Sequence, residues 1–167
     1  SSEIGHPPSK FQHVFAKALS EGFLTVAHAG EEGPASYIWE ALNLLKVSRI
    51  DHGNHALDDD ALVQELSQRQ IPLTLCPLSN LKLKVVQDIK NHPLKIMAQR
   101  GLLVTINSDD PAYFGGYIVD NYKAVARALY LSAEDIRELA KNSFRASFLR
   151  PEQKNAFIAK VEKFEIT

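Results

Sequence analysis

Residues 23–31 read FLTVAHAGE: five apolar or β-branched residues, then a histidine and a glutamate separated by two small residues. A run this short and this rich in β-formers predicts a buried strand over Phe23 to Ala27, with the polar pair at its C-terminal end. The format recurs. Arg49 and Ile50 make a very short strand before Asp51-His52-Gly53, and Ile71 to Cys76 a third before Pro77-Leu78-Ser79-Asn80. Leu102 to Ile106 is the fourth, followed by Asn107-Ser108-Asp109-Asp110-Pro111. Strand starts near 23, 48, 71 and 102 differ by 25, 23 and 31 residues, the spacing of repeated strand and helix units with parallel strands.

The helices fit between them. Phe11, Val14, Phe15, Ala18 and Leu19 fall on one 3.6-residue stripe, with Ser9 as the expected N-cap and Gly22 as the stop. Pro34 opens a helix bearing Ile38, Leu42 and Leu45, and Leu57 to Gln68 form another with Asp58 to Asp60 at its positive end. His92 to Arg100 is a helix stopped by Gly101, and three more are expected near 117–130, 133–148 and 151–164. Ser132 and Asp135 form a Ser-x-x-acid cap. A doubly wound sheet and a (β/α)₈ barrel both satisfy this α/β pattern, but four units are half of a barrel, which usually takes about 250 residues. No linker divides residues 1–167, so they read as one piece of one domain.

Composition excludes several classes of function. Of 167 residues, 45% are hydrophobic, and 19 Lys and Arg stand against 20 Asp and Glu. A chain without basic excess releases few counterions from phosphates, so nucleic acid is not an expected partner and a small ligand is. The single cysteine, Cys76, rules out a disulfide framework and suits a reducing compartment. No apolar run approaches the length of a membrane span, and SSEIGHPPSK lacks the features of a signal peptide. A cytoplasmic location, with no membrane partner, is the expectation.

All four polar clusters lie at the C-terminal ends of the strands, the edge where loops converge and ligands bind in parallel α/β proteins. Taken singly, each cluster has a bland explanation. A histidine beside a strand is usually structural, Asp109-Asp110-Pro111 could be a turn, and Cys76 has no basic neighbour to activate it. His6, His13, His55 and His92 follow no strand and default to surface or loop roles, and GEEG at 30–33 lacks the Lys-Ser/Thr of a phosphate loop. Together the clusters bring two histidines and four carboxylates to one rim. That combination suits a divalent metal such as zinc, or acid/base chemistry.

VAHAGE (26–31), RIDHG (49–53), CPLSN (76–80) and NSDDP (107–111), in this order and spacing, resemble the adenosine/adenine deaminases of the metal-dependent hydrolase superfamily. The opening SSEIGHPP (1–8) is most similar to bacterial and fungal adenine deaminases. The resemblance implies a (β/α)₈ barrel, of which this chain would supply strands five to eight, their helices and the C-terminal helices. It implies one Zn²⁺ per complete site, with His28 and Asp109 as zinc ligands, Glu31 as proton donor and His52 orienting or deprotonating the attacking water. Asp110 would bind the purine base. The implied reaction is hydrolytic deamination of adenine to hypoxanthine and ammonia in purine salvage. Adenosine deamination, or a non-catalytic purine-binding half-barrel, are the alternatives.

A ring-protonating Glu31 should have a raised pKa when substrate closes the site. Glu3, if it ends a preceding strand, would accept a hydrogen bond from the N9–H that adenine has and a nucleoside lacks; Glu3→Gly should then relax rejection of adenosine. Ser79 and Asn80 would trim the pocket wall or form a turn. In one respect the chain departs from the family: it contains no His-x-His zinc pair. With two metal ligands it should bind zinc weakly and not turn over by itself. The missing ligands would come from an N-terminal half of the same enzyme or from an oligomer partner. An isolated half-barrel should also expose open sheet edges and an apolar interior.

Overall fold

In the computed structural model, which describes residues 2–165, the strands form one sheet in the order β1-β2-β3-β4, every neighbouring pair parallel. Ser1, which opens the SSEIGHPP segment, lies outside the described residues. The helix α1 (Gln12–Ser20) precedes β1 (Val26–Ala29); α2 (Ala35–Asn43) leads to β2 (Arg49–His52) and α3 (Asp60–Arg69) to β3 (Leu73–Leu75). Two short helices, α4 (Pro77–Lys82) and α5 (Leu94–Gln99), precede β4 (Val104–Ile106). After it come α6 (Pro111–Phe114), α7 (Ile118–Ala128), α8 (Ala133–Arg145) and α9 (Pro151–Glu162). Among the described residues no helix is long and apolar enough to cross a membrane.

The register explains how each strand divides its side chains. Ala27 pairs with Ile50, Ile50 with Leu73 and Leu73 with Val104, an apolar row across the sheet. It packs on Ile38 and Leu42 of α2, Leu62 and Leu66 of α3 and Met97 of α5, all buried. Burial of each such side chain is worth about 1.5–3 kcal/mol, which is what holds these short helices on the sheet. One residue further along, His28 pairs with Asp51, Asp51 with Thr74 and Thr74 with Thr105. Alternation puts this row on the opposite face. The expectation of an apolar interior is therefore corrected: that face is polar and internally bonded. Thr74 Oγ1 donates to Asp51 at 2.9 Å and Asn107 Nδ2 to Thr105 Oγ1 at 2.8 Å. Arg49 donates to the Ala146 carbonyl at 3.2 Å while its guanidinium lies 4.7 Å from the Phe148 ring centroid.

Other boundaries move for identifiable reasons. Phe23 and Leu24 are 61% exposed and precede β1, because the Phe23 N–H closes the end of α1 on Ala18 and pairing with β2 starts only at Val26. Ser9 is no cap. It lies inside a 3₁₀ turn, Pro8–Phe11, and its backbone N–H donates to Glu40. The first helix buries none of its stripe fully, and Phe11 and Val14 face outward. Asp59, within the predicted acidic start of α3, caps it by accepting from the Ala61 and Leu62 N–H groups, and Ser132 with Asp135 forms the expected capping box.

Gly30, just past β1, has φ +70°, and a Cβ there would lie 2.5 Å from Cδ1 of the fully buried Ile38. Gly30→Ala should cost about 2–4 kcal/mol, combining left-handed strain with overpacking. Gly5 has φ +77° with nothing near its Cβ position, so Gly5→Ala should cost only the conformational part. Urea unfolding of the two variants checks the difference.

Candidate active site

The four polar clusters meet at the C-terminal edge of the sheet. His28 and Asp109 line both an inner cleft of about 400 Å³ and an outer one of about 780 Å³ that also contains Glu31 and Asp110. The inner cleft adds Asp51, His52, Cys76 and Asn107. Asp109 Oδ2 accepts a 2.6 Å hydrogen bond from Ser79 Oγ, which fixes the carboxylate from behind.

His52 is the most constrained member. By alternation it should follow Ile50 toward the helices, but His52 has φ +67° and Gly53 φ +80°, and this left-handed pair redirects the imidazole along the strand end. Its ring centroid lies 4.7 Å from that of His28, and its Nδ1 lies 3.2 Å from Glu31 Oε1 without hydrogen-bond alignment, so that buried nitrogen has no partner. Asp109 is likewise left-handed, φ +57°. Non-glycine residues in this region are strained and concentrate at functional sites. Burial, with the neighbouring His28 adding to it, lowers the His52 pKa to about 4. Burial, reinforced by the Asp109 carboxylate, raises that of Glu31 to about 7. At neutral pH the rim therefore offers a neutral imidazole beside a carboxyl group poised between its two forms, a separation that suits acid/base chemistry.

Glu31 is presented by Glu3. The Glu3 carboxylate accepts from the backbone N–H groups of Gly30 at 2.6 Å, Glu31 at 2.9 Å, Glu32 at 2.9 Å and Gly33 at 3.0 Å. GEEG is thus an anion-binding nest after all, filled by the chain's own side chain. Three of these bonds fall on Oε2 and one on Oε1, and Glu3 also lines the outer cleft, so the expected contact with a base N9–H would use the remaining acceptor position on Oε1. Glu3→Gln should cost about 2–4 kcal/mol in urea unfolding, because an NH₂ replaces an acceptor facing N–H donors.

Ser79 and Asn80, expected at a pocket wall or turn, instead occupy the short helix α4 and are fully buried. Asn80 Nδ2 donates to Glu31 Oε1 at 2.8 Å. Its Oδ1 accepts from Asn54 Nδ2 at 3.0 Å and faces His92 Nε2 at 3.2 Å. His92, read from sequence as a surface or loop residue, is 2% exposed. Neither role had a local signal, since the Asn80 contact spans 49 positions. The α4 helix is anchored in turn by the buried Asn121, whose Oδ1 accepts the Leu78 N–H at 3.0 Å.

Possible metal donors are close together. One ligand atom each from His52, Cys76 and Asp109 lie within 4.8 Å of one another, and His28 stands beside them with its side chain 62% exposed to the cleft. Nitrogen and carboxylate donors suit a borderline divalent ion such as zinc. Burial pushes the Cys76 thiol pKa up, with Asp109 and Glu31 adding to the effect. This makes Cys76 a weaker candidate than the histidines, in keeping with its reading as a small buried residue.

Comparison with known proteins places this chain in a family. The adenosine deaminase family model matches residues 1–164. The adenine deaminase of Acinetobacter baylyi is 58% identical over 163 residues, 98% of this chain and 49% of that protein. That of Crocosphaera subtropica is 60% identical over 154 residues, 92% of this chain and 47% of the relative. The chain therefore spans about half the length of the relatives it matches. Among solved structures, adenine deaminase from Arthrobacter aurescens superposes with a TM-score of 0.95 at 48% identity, covering 98% of this chain and 50% of the other. An amidohydrolase from Burkholderia ambifaria, solved with bound Zn, gives 0.88 at 25% identity, covering 97% of this chain and 46% of the other. The parallel sheet and its helices are thus part of the amidohydrolase (β/α)₈ barrel fold, and the chain belongs to the adenosine deaminase family.

Proposed function

We propose that the protein to which this chain contributes is a zinc-dependent adenine deaminase that converts adenine and water to hypoxanthine and ammonia in purine salvage. The observation that carries this reading is the constellation at one rim: buried Glu31 held by Asn80, buried His52 held in the left-handed region, and His28 and Asp109 lining the same clefts. Burial pushes the Glu31 carboxyl up and the His52 imidazole down, which suits the two to acid/base work. The names of the relatives support the choice of adenine.

Each residue then has a task. His28 and Asp109 would hold the metal, the remaining ligands coming from the other half of the barrel. When bound, the ion lowers the pKa of a coordinated water toward roughly 7 and so provides hydroxide at neutral pH. The buried His52 Nδ1, which has no partner, belongs to a ring that can accept a proton from the attacking water and pass it to the departing amine. Neutral Glu31 donates its proton to N1 as C6 becomes tetrahedral, which keeps negative charge off the ring. Asp110, on the outer cleft with Glu31, accepts from a protonated N7. As ammonia leaves, the C6 hydroxyl becomes a carbonyl and its proton returns to Glu31, while N1 keeps the proton it received, so that adenine and water become hypoxanthine and ammonia. We assign the protein to the cytoplasm, with the base as its partner rather than a membrane or nucleic acid, and the other half of the barrel as its structural partner.

The test is kcat/KM for adenine against adenosine in the complete, zinc-loaded barrel. Preference for adenine by at least about 10²-fold is expected, on the scale of discrimination by polar groups. Equal use of adenosine would overturn the choice of base, and failure to release ammonia from either would overturn the deaminase reading. Because Glu3 holds the loop, Glu3→Gln should lower both rates together and leave their ratio unchanged.

A further inference from the structure

We infer that His92 is a positioning residue for Glu31: acting through Asn80, it determines which carboxyl oxygen carries the acidic proton. The inference rests on the deaminase reading and adds to it a residue some distance from the substrate.

The chain of contacts begins at the backbone. The Leu94 N–H donates to His92 Nδ1 at 3.2 Å, so in the neutral ring Nδ1 is the acceptor and the proton resides on Nε2. That Nε2–H points to Asn80 Oδ1 at 3.2 Å, where Asn54 Nδ2 also donates at 3.0 Å. Asn54 is itself an amide whose Oδ1 has no partner and could present either end, so it is the His92 Nε2–H that settles the orientation of the Asn80 amide. Its NH₂ is consequently the end that faces Glu31, donating to Oε1 at 2.8 Å. An oxygen that accepts an N–H bond in a buried site is the carbonyl oxygen of the neutral acid. The proton therefore belongs on Oε2, free to be aimed at the ring nitrogen.

The path is buried up to the cleft: Asn80 is fully buried, His92 and Asn54 are buried, and only Glu31 reaches the outer cleft. With the opposite His92 tautomer, an unprotonated Nε2 would face the Asn80 oxygen, two acceptors in contact. That conflict would favour the flipped amide, which presents its oxygen to Glu31 and moves the acidic proton to Oε1, away from the substrate. Buried polar networks of this kind carry a large penalty when any member is mismatched.

The experiment uses the complete, zinc-loaded protein, with kcat and KM for adenine measured in His92→Phe and His92→Gln. Phenylalanine keeps the ring volume and removes the donor; glutamine keeps an N–H that can reach Asn80. His92→Phe should lose about 10–100-fold in kcat, the usual scale for groups that orient a reacting residue, with KM changed by less than about 3-fold. His92→Gln should recover most of the loss. Unchanged kcat in His92→Phe, or equal losses in both variants, would overturn the inference while adenine turnover by the unaltered protein kept the deaminase reading intact. Absence of turnover in the unaltered protein would overturn both. Should His92→Phe fail to fold, ¹⁵N NMR of the unaltered protein decides independently: the neutral Nε2–H tautomer is expected, and an Nδ1–H tautomer would overturn the proposal.

Discussion

Glu31→Gln lowers kcat for adenine by about 10³-fold, within the range for loss of a general acid, while adenine affinity and bound zinc change by no more than a few-fold. Glutamine keeps the Oε1 that accepts from Asn80 and removes the proton donor. The same substitution should stabilise the metal-free protein at alkaline pH. Glu31 is raised from 4.5 to about 7 in the fold, so between those values the native state binds more protons than the unfolded one. Its contribution to stability is fully present below pH 4.5 and is lost as pH rises through about 7. The loss is worth about 2 kcal/mol after allowance for solvent screening. At pH 8 the Gln variant should unfold at higher urea than the unaltered protein, and at pH 4 the two should coincide. His52 and His92, both lowered to about 4, act in the opposite direction: their contribution is present above pH 6.5 and is lost as pH falls through about 4. Both proteins share them, so they cancel in the comparison. A dead but stabilised variant is the signature of a buried group kept for chemistry at the expense of stability.

Asp109→Ala should abolish turnover, by at least about 10³-fold, and weaken zinc retention, because it removes the carboxylate ligand and leaves His28 as this chain's one contribution to the metal site. Elemental analysis after dialysis reads the metal content. A second effect separates Asp109 from an ordinary ligand. Its carboxylate, after burial, is the largest cause of the raised Glu31 pKa, so its removal should move Glu31 down from about 7 in the metal-free protein. Carboxyl ¹³C NMR of Glu31 against pH measures the shift. Zinc retained with full activity would exclude Asp109 from the metal site, and an unmoved Glu31 would exclude the electrostatic coupling.

The sheet and the rim were largely legible in the sequence because both depend on local pattern. Short β-rich runs at regular spacing imply parallel strands, and a polar cluster after each run places His28, Glu31, His52, Asp109 and Asp110 on one edge. What sequence could not carry is the partner of each side chain. Asn80 and His92 show no periodic or motif signal, and their function lies in contacts across 49 and 12 positions. The four loop hydrogen bonds of Glu3 were not legible either, since a carboxylate that deep in a loop looks in sequence like any acid. The interior face was misjudged because the strands are only three or four residues long, too short for alternation to separate Arg49, Asp51 and Thr74 from their apolar neighbours. Phe23 and Leu24 were read into a strand on hydrophobicity, which does not distinguish a buried face from one left open.

The central claim is that His28 and Asp109 hold the metal, leaving Glu31 and His52 free to move protons. Crystals of the complete zinc-loaded protein, measured on both sides of the zinc absorption edge, test it directly. The account predicts one anomalous peak with His28 nitrogen and Asp109 oxygen at about 2.0–2.2 Å, and with Glu31 and His52 outside its coordination sphere. A zinc held instead by His52, Cys76 and Asp109, the three residues whose ligand atoms already lie within 4.8 Å of one another, would contradict it.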